Sequence, residues 1–181
     1  QGGGFGGADL CALQASLGMN TLGGGFQISA GNSIADDFDI TAQTNVTTIT
    51  FFAYQTGGGI PSTINEVYFQ IYDGDPSAGG SVIWGDLATD RLISTDWTNM
   101  YRASDADPMG STRAIMNVVG DASGLSLAPG TYWVEVQAGG TASSGPWCPP
   151  VTILGETTTG NSKQKTSTGW ANWLDTGTST G

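Results

Sequence analysis

The sequence contains no histidine. That removes Ser-His-Asp and Cys-His nucleophilic sites as usually built, together with His-containing zinc sites. Basic residues are scarce. Five Lys and Arg stand against 16 Asp and Glu, a formal charge of -11. A basic footprint for nucleic acid is missing, and an anionic membrane surface is disfavoured for the same reason. Charged residues make up 12% of the chain, about half the usual share. No apolar run approaches the ~20 residues of a membrane span, so membrane insertion is not expected. Neither G-x-G-x-x-G at a strand–helix junction nor a P-loop lysine motif occurs, which argues against nucleotide chemistry. No charged-then-apolar leader opens the chain, and Gln1 is expected to be a mature terminus left by cleavage.

Cysteine is limited to Cys11 and Cys148. Two cysteines cannot build a Cys₄ metal site. An even count without metal-like spacing predicts one disulfide in an oxidising compartment. Closing so long a loop is worth about 4–5 kcal/mol in the chain-entropy account. Two buried thiols, or intermolecular pairing through Cys11, are the alternatives.

What the chain does have is glycine, 29 residues, and many short β-rich runs. Leu125–Gln137 is the clearest. Ala128-Pro129-Gly130 is turn chemistry. Behind it Tyr132, Val134 and Val136 point one way and Trp133, Glu135 and Gln137 the other. Further strands are expected at Ile34–Ile40, Val46–Tyr54, Ile64–Tyr72, Ser81–Trp84, Arg91–Thr95, Trp97–Ala103, Thr112–Val119, Leu125–Leu127, Val151–Leu154 and Gly169–Leu174. Ile49, Phe51 and Ala53 share a face, as do Val67, Phe69 and Ile71. Ser81–Trp84 reads as the returning strand of a hairpin after Ile64–Tyr72. This spacing predicts an all-β, antiparallel β-sandwich, jelly-roll or Ig-like, over residues 26–181. Residues 40–65 carry no charge. A strand buried on both faces, or one in an intersubunit contact, accounts for that.

Residues 1–25 read as an N-terminal arm or strap with a single charge, Asp9. A short helix over residues 9–19 would put Leu10, Leu13 and Leu17 on one face. Alone it would be marginal, so it must dock, either on its own domain or on a neighbouring subunit. The chain ends in DTGTSTG without a further apolar strand, which suggests a tail or a sheet that another chain completes.

No catalytic residues are assigned. Glu66, Glu135 and Glu156 could in principle form a carboxylate pair, but strand carboxylates are usually solubilising. Asp73-Gly74-Asp75 begins like a calcium loop, which makes Ca²⁺ the one candidate cofactor. Aspartate in turns more often bonds its own backbone, and the later ligands of such a loop are missing. Trp133 with Glu135 and Gln137, and Trp147 in the Gly139–Pro150 loop, would suit sugar stacking if their faces are open; packing is the competing role. Asn45-Val46-Thr47 is a glycosylation sequon.

The phrases Ala35-Asp36-Asp37-Phe38, Ile71-Tyr72-Asp73-Gly74-Asp75-Pro76, Val82-Ile83-Trp84-Gly85-Asp86, Pro129-Gly130-Thr131-Tyr132-Trp133-Val134 and Ser144-Gly145-Pro146-Trp147 resemble those of a broad group of secreted bacterial β-sandwich modules of uncharacterised function. The resemblance spans residues 34–174 and implies fold and an extracellular or cell-surface location, with no catalytic motif. In that group a short apolar strand often follows the region matching residues 170–181. The low-charge N-terminal segment is architecturally similar to subunits of extracellular pilus-like filaments that insert a segment into the next subunit. The resulting expectation is a non-enzymatic extracellular structural protein whose partners are copies of itself, a filament or surface-layer subunit. Leu10, Leu13, Leu17, Phe51 and Phe52 are its candidate contact residues. The alternative is a carbohydrate-binding adhesive module, calcium-assisted or not, with glycans as partners.

Overall fold

A computed structural model describes residues 4–21, 25–150 and 153–181. The chain is an all-β sandwich, and no α-helix occurs among the described residues. Among the described residues twelve strands follow one another: β1 (Asp9–Leu13), β2 (Phe26–Gln27), β3 (Ser33–Ile40), β4 (Thr44–Ala53), β5 (Ile64–Tyr72), β6 (Val82–Asp86), β7 (Leu92–Ser104), β8 (Ala114–Leu127), β9 (Gly130–Gly140), β10 (Trp147–Cys148), β11 (Lys163–Thr166) and β12 (Gly169–Asn172). They form a four-stranded sheet in the order β1-β7-β8-β4, a six-stranded sheet in the order β12-β11-β3-β9-β5-β6, and a small β10-β2 pair.

The core lies between the two large sheets because alternation brings one face of each strand inward. Val67, Phe69 and Ile71 of β5 are fully buried. They meet Ile49, Phe51 and Ala53 of β4, Met116 and Val118 of β8, and Val134 and Val136 of β9. Phe51 packs edge-to-face on Phe69, centroids 5.9 Å apart. The turn at Ala128-Pro129-Gly130 joins β8 to β9, and Tyr132 Oη donates back to Ala128 O at 3.1 Å. β6 returns antiparallel on β5, as a hairpin requires.

Several elements depart from the sequence expectation. Residues 9–13 form β1, not a helix, and pair in parallel with β7 of the same chain. An edge strand gains partners for its backbone groups at once, whereas a helix here would need a long nucleus from a glycine-flanked segment. Thus the segment read as an arm contributes a strand to its own sandwich. Expected strands 91–95 and 97–103 are one strand, β7, which kinks at Asn99 (φ 60°). Expected strands 112–119 and 125–127 merge in β8. Of the expected strand 151–154, residues 151–152 lie outside the described residues, and Ile153 and Leu154 are exposed coil. β4 is an edge strand, not a central one. β11, with its polar sequence KQKT, had no apolar signal to mark it.

Gly120 of β8 sits against the buried Phe69 ring, and a Cβ there would collide with it. Gly120→Ala is expected to destabilise the fold by about 1–3 kcal/mol through overpacking, read as a lower urea midpoint at unchanged slope.

Candidate functional site

The outward face of β9 was the open question of the sequence, and the structure closes it. Glu135 is fully buried and Trp133 is 6% exposed. β11 extends the sheet beside β3, and β12 folds back along it. Trp170 of β12 packs on Tyr72, centroids 6.5 Å apart, beside Ala35 and Trp133. Lys163 lies over the Trp133 ring at 5.9 Å while its Nζ donates to Asn172 Oδ1 at 2.6 Å and pairs with Asp75 at 3.6 Å. Lys165 Nζ lies over the Trp170 ring at 5.4 Å, so two ammonium groups stand on this face beside its tryptophans.

Glu135 is satisfied beneath this cover. Its carboxylate accepts from Tyr72 Oη and from Gln70 Nε2, each at 2.5 Å, and from Ser33 Oγ, with Lys165 Nζ 3.6 Å away. Burial, then the hydrogen bond to Glu135 and its charge, push the Tyr72 phenol well above its ordinary value. A carboxylate so fully engaged and sealed from solvent holds the sheet rather than a substrate. Trp133 and Glu135 therefore cannot stack on or bond a sugar. Gln137 donates to Asn32 O at 3.2 Å, and the half-buried Trp147 donates from Nε1 to Ser144 Oγ at 3.1 Å. The four glycan candidates do not form one open surface.

Asp73 and Asp75 do not converge on a cation either. Asp73 Oδ1 accepts from Ser81 N–H at 2.7 Å, and Asp75 Oδ1 caps the Pro76–Ala78 turn through Ser77 N–H at 2.7 Å. Asp75 also faces the Lys163 ammonium. Among the described residues no group of three or more acidic or sulfur side chains is placed to hold a metal ion. The expected disulfide is not formed. Cys11 lies on β1, where Arg102 Nη1 approaches its Sγ at 3.3 Å. Cys148 lies on β10, and burial pushes its thiol up to about 12. Glu66 bonds Tyr68 Oη at 2.5 Å, and Glu156 is exposed, so neither forms a pair with Glu135. Asn45 is exposed on β4.

The self-association candidates divide into two groups. Leu10, Leu17 and Phe52 line one apolar groove of about 540 Å³ beside the four-stranded sheet, together with Met100, Ile115 and Leu154. Phe52 is 52% exposed and Leu17 41%. Leu13 and Phe51 line a second space, a cavity of about 290 Å³ between the sheets. Its wall includes Ile34 and Asp36 of β3, Val134 of β9, and Trp173 and Asp175 from the C-terminal segment. The indole N–H of Trp173 is buried and meets no acceptor among the described residues. Partial burial pushes the Asp36 carboxyl up, against donors from Ser162 and Asp37.

No family model, curated protein or solved structure matches the chain. The geometry alone carries the functional reading.

Asp175, 5% exposed, ties the two ends of the cavity wall together. Its carboxylate accepts from the N–H groups of Asn20, Gly177 and Thr178 and from Thr21 Oγ1. Burial opposes its ionisation, but these donors outweigh it and hold the carboxyl below its ordinary value. A carboxyl whose folded pKa is depressed adds stability above its unfolded pKa and loses it as pH falls through the folded one. Asp175→Asn is expected to cost about 1–3 kcal/mol at pH 7 and less below about pH 4. Thermal melts at both pH values check this; an equal cost at both would remove the assigned role of the charge.

Proposed function

We propose that this is a non-enzymatic structural protein of the extracellular space or cell surface that associates with copies of itself. One observation carries the reading: β4 is a ten-residue edge strand without a single charge, paired among the described residues on one side only, with β8. Edge strands are ordinarily blunted by lysine, proline, bulges or covering loops, because their unpaired N–H and C=O groups template another strand. β4 has one register shift, at Val46/Thr48, and neither Lys nor Pro. At its far end Tyr54 is bridged to Trp147, so only the part before it is open.

The groove beside β4 supports the same reading. Phe52, Leu17 and Leu154 are large apolar side chains exposed together, as interaction patches are. The occupant of this edge is a second copy, since an uncharged strand pairs most readily with another uncharged strand, and the chain at -11 repels itself elsewhere. Strand or segment donation joins the copies. A glycan-binding reading loses its principal residues with the burial of Trp133 and Glu135.

Phe52→Lys places a charge on the edge without disturbing the core. Sedimentation velocity and electron microscopy are expected to show assembly in the wild type and a loss of about tenfold or more in association for the variant, with an unchanged melting temperature. Wild-type protein that stays monomeric at its solubility limit would remove the proposal.

A further inference from the structure

Among the described residues the two large sheets end in four edge strands: β1 and β4 on the four-stranded sheet, β12 and β6 on the six-stranded one. β1 begins with Asp9 and β6 ends with Asp86. β12 is four residues long and meets the Pro76–Ala78 turn. Only β4 combines length with an absence of charge, and that absence extends over its flanks, residues 40–65.

The end of β4 shows which of its backbone groups face outward. Tyr54 exchanges two backbone hydrogen bonds with Trp147, at 2.9 and 2.8 Å, on the side away from β8. Alternate residues of a strand direct their N–H and C=O to the same side, so Phe52, Thr50 and Thr48 aim theirs at the open edge. Their side chains are exposed as well. Before Thr48 the alternation slips at the Val46/Thr48 register shift, where Val46 and Ile49 both turn to the core. The regular open edge is therefore Thr48 to Phe52, with Thr50 at its centre.

We infer that this edge pairs with the same edge of a second copy, antiparallel and about a twofold axis at Thr50. The inference rests on the self-association reading and names the surface that the second copy brings; neither strand leaves its own sandwich. Thr50 then faces Thr50, and Thr48 faces Phe52 on either side of it, three facing pairs joined by about six hydrogen bonds. Threonine against an aromatic ring is a favourable cross-strand pair. Charge and length select a second β4 over the other edges. Copies at -11 repel one another, and pairing β4 with β1 or β6 brings a carboxylate to a stretch without a cation. β12 is too short to match. The ends fit as well. Opposite Tyr54 comes Val46 of the other copy, where the chain has already left the regular edge, so Tyr54 keeps its bridge to Trp147.

Thr50→Cys places a thiol on the axis. Facing residues of an antiparallel pair have Cα atoms about 4.5–5.5 Å apart, within disulfide range. Thr48→Cys sets its two thiols four residues out of register, about 14 Å apart. Each variant is brought to a concentration at which sedimentation velocity shows the wild type associated, and is oxidised with diamide. Peptide mass mapping separates these links from any through Cys11 or Cys148. It is expected to find at least about tenfold more linkage between the two positions 50 than between the two positions 48. Linkage at 50 no greater than at 48, or none at either while association persists, overturns the twofold β4 pairing and leaves self-association standing. A wild type that never associates overturns both and leaves the edge to a strand of another protein. Should the variants fold poorly, amide hydrogen exchange on wild-type protein decides: the Thr48, Thr50 and Phe52 amides must slow as protein concentration rises, and unchanged exchange overturns the inference.

Discussion

The carboxylate of Glu135 constrains most of what surrounds it. It sits on β9, which runs between β3 and β5 in the six-stranded sheet and is covered on both faces. A buried, isolated carboxylate would cost several kcal/mol, so its neighbours have to supply donors. Ser33 comes from β3, Gln70 and Tyr72 from β5, and Lys165 from β11. The cover follows from the same need. Lys163 and Lys165 bring ammonium groups to Asp75 and Glu135 and over the Trp133 and Trp170 rings, and Trp170 packs against Trp133 and Tyr72. Two of the five basic residues of the chain are spent on this one face.

That arrangement explains what could be read from the sequence and what could not. The inward residues of β5, Val67, Phe69 and Ile71, are fully buried, whereas on β9 burial occurs on both faces, at Trp133 and Glu135 as well as at Val136. The partition of β9 into Val134/Val136 and Trp133/Glu135 was legible. The closure of the second face was not, because β11 and β12 carry no apolar period. The cover they give comes from two lysines and one tryptophan, which a pattern of hydrophobic residues does not reveal. Leu10, Leu13 and Leu17 show the opposite failure. Their spacing fits a helix, but β7 offered an open edge, and backbone pairing outweighed a weak propensity. Leu10 and Leu17 still meet in one groove, while Leu13 turns to the cavity. The two cysteines, on β1 and β10, stand as free thiols, and parity of cysteine count says nothing about which strands carry them.

The two sheets manage their edges in different ways. β1 closes one side of the four-stranded sheet and ends it with a short strand. β12, at one end of the larger sheet, is four residues long and meets the Pro76–Ala78 turn, so it offers little to pair with. β6, at the other end, ends in Asp86, which is paired with Arg91 at 3.7 Å. These are the devices by which sheets avoid one another. β4 has few of them: it carries no charge, lysine or proline, and among the described residues it pairs along its length only with β8. The length of this unprotected edge, rather than the exposure of any one residue, is what separates it from the other strand edges of the sandwich.

Under the proposed self-association, the form of the assembly depends on which surfaces meet. If the open edge of β4 pairs with β4 of a second copy, the same patch serves both copies and a twofold axis closes the contact as a dimer. If β4 instead receives a different part of the neighbouring copy, the contact is heterologous and each copy keeps one unfilled edge. Addition then continues unless the rotation between copies closes a ring.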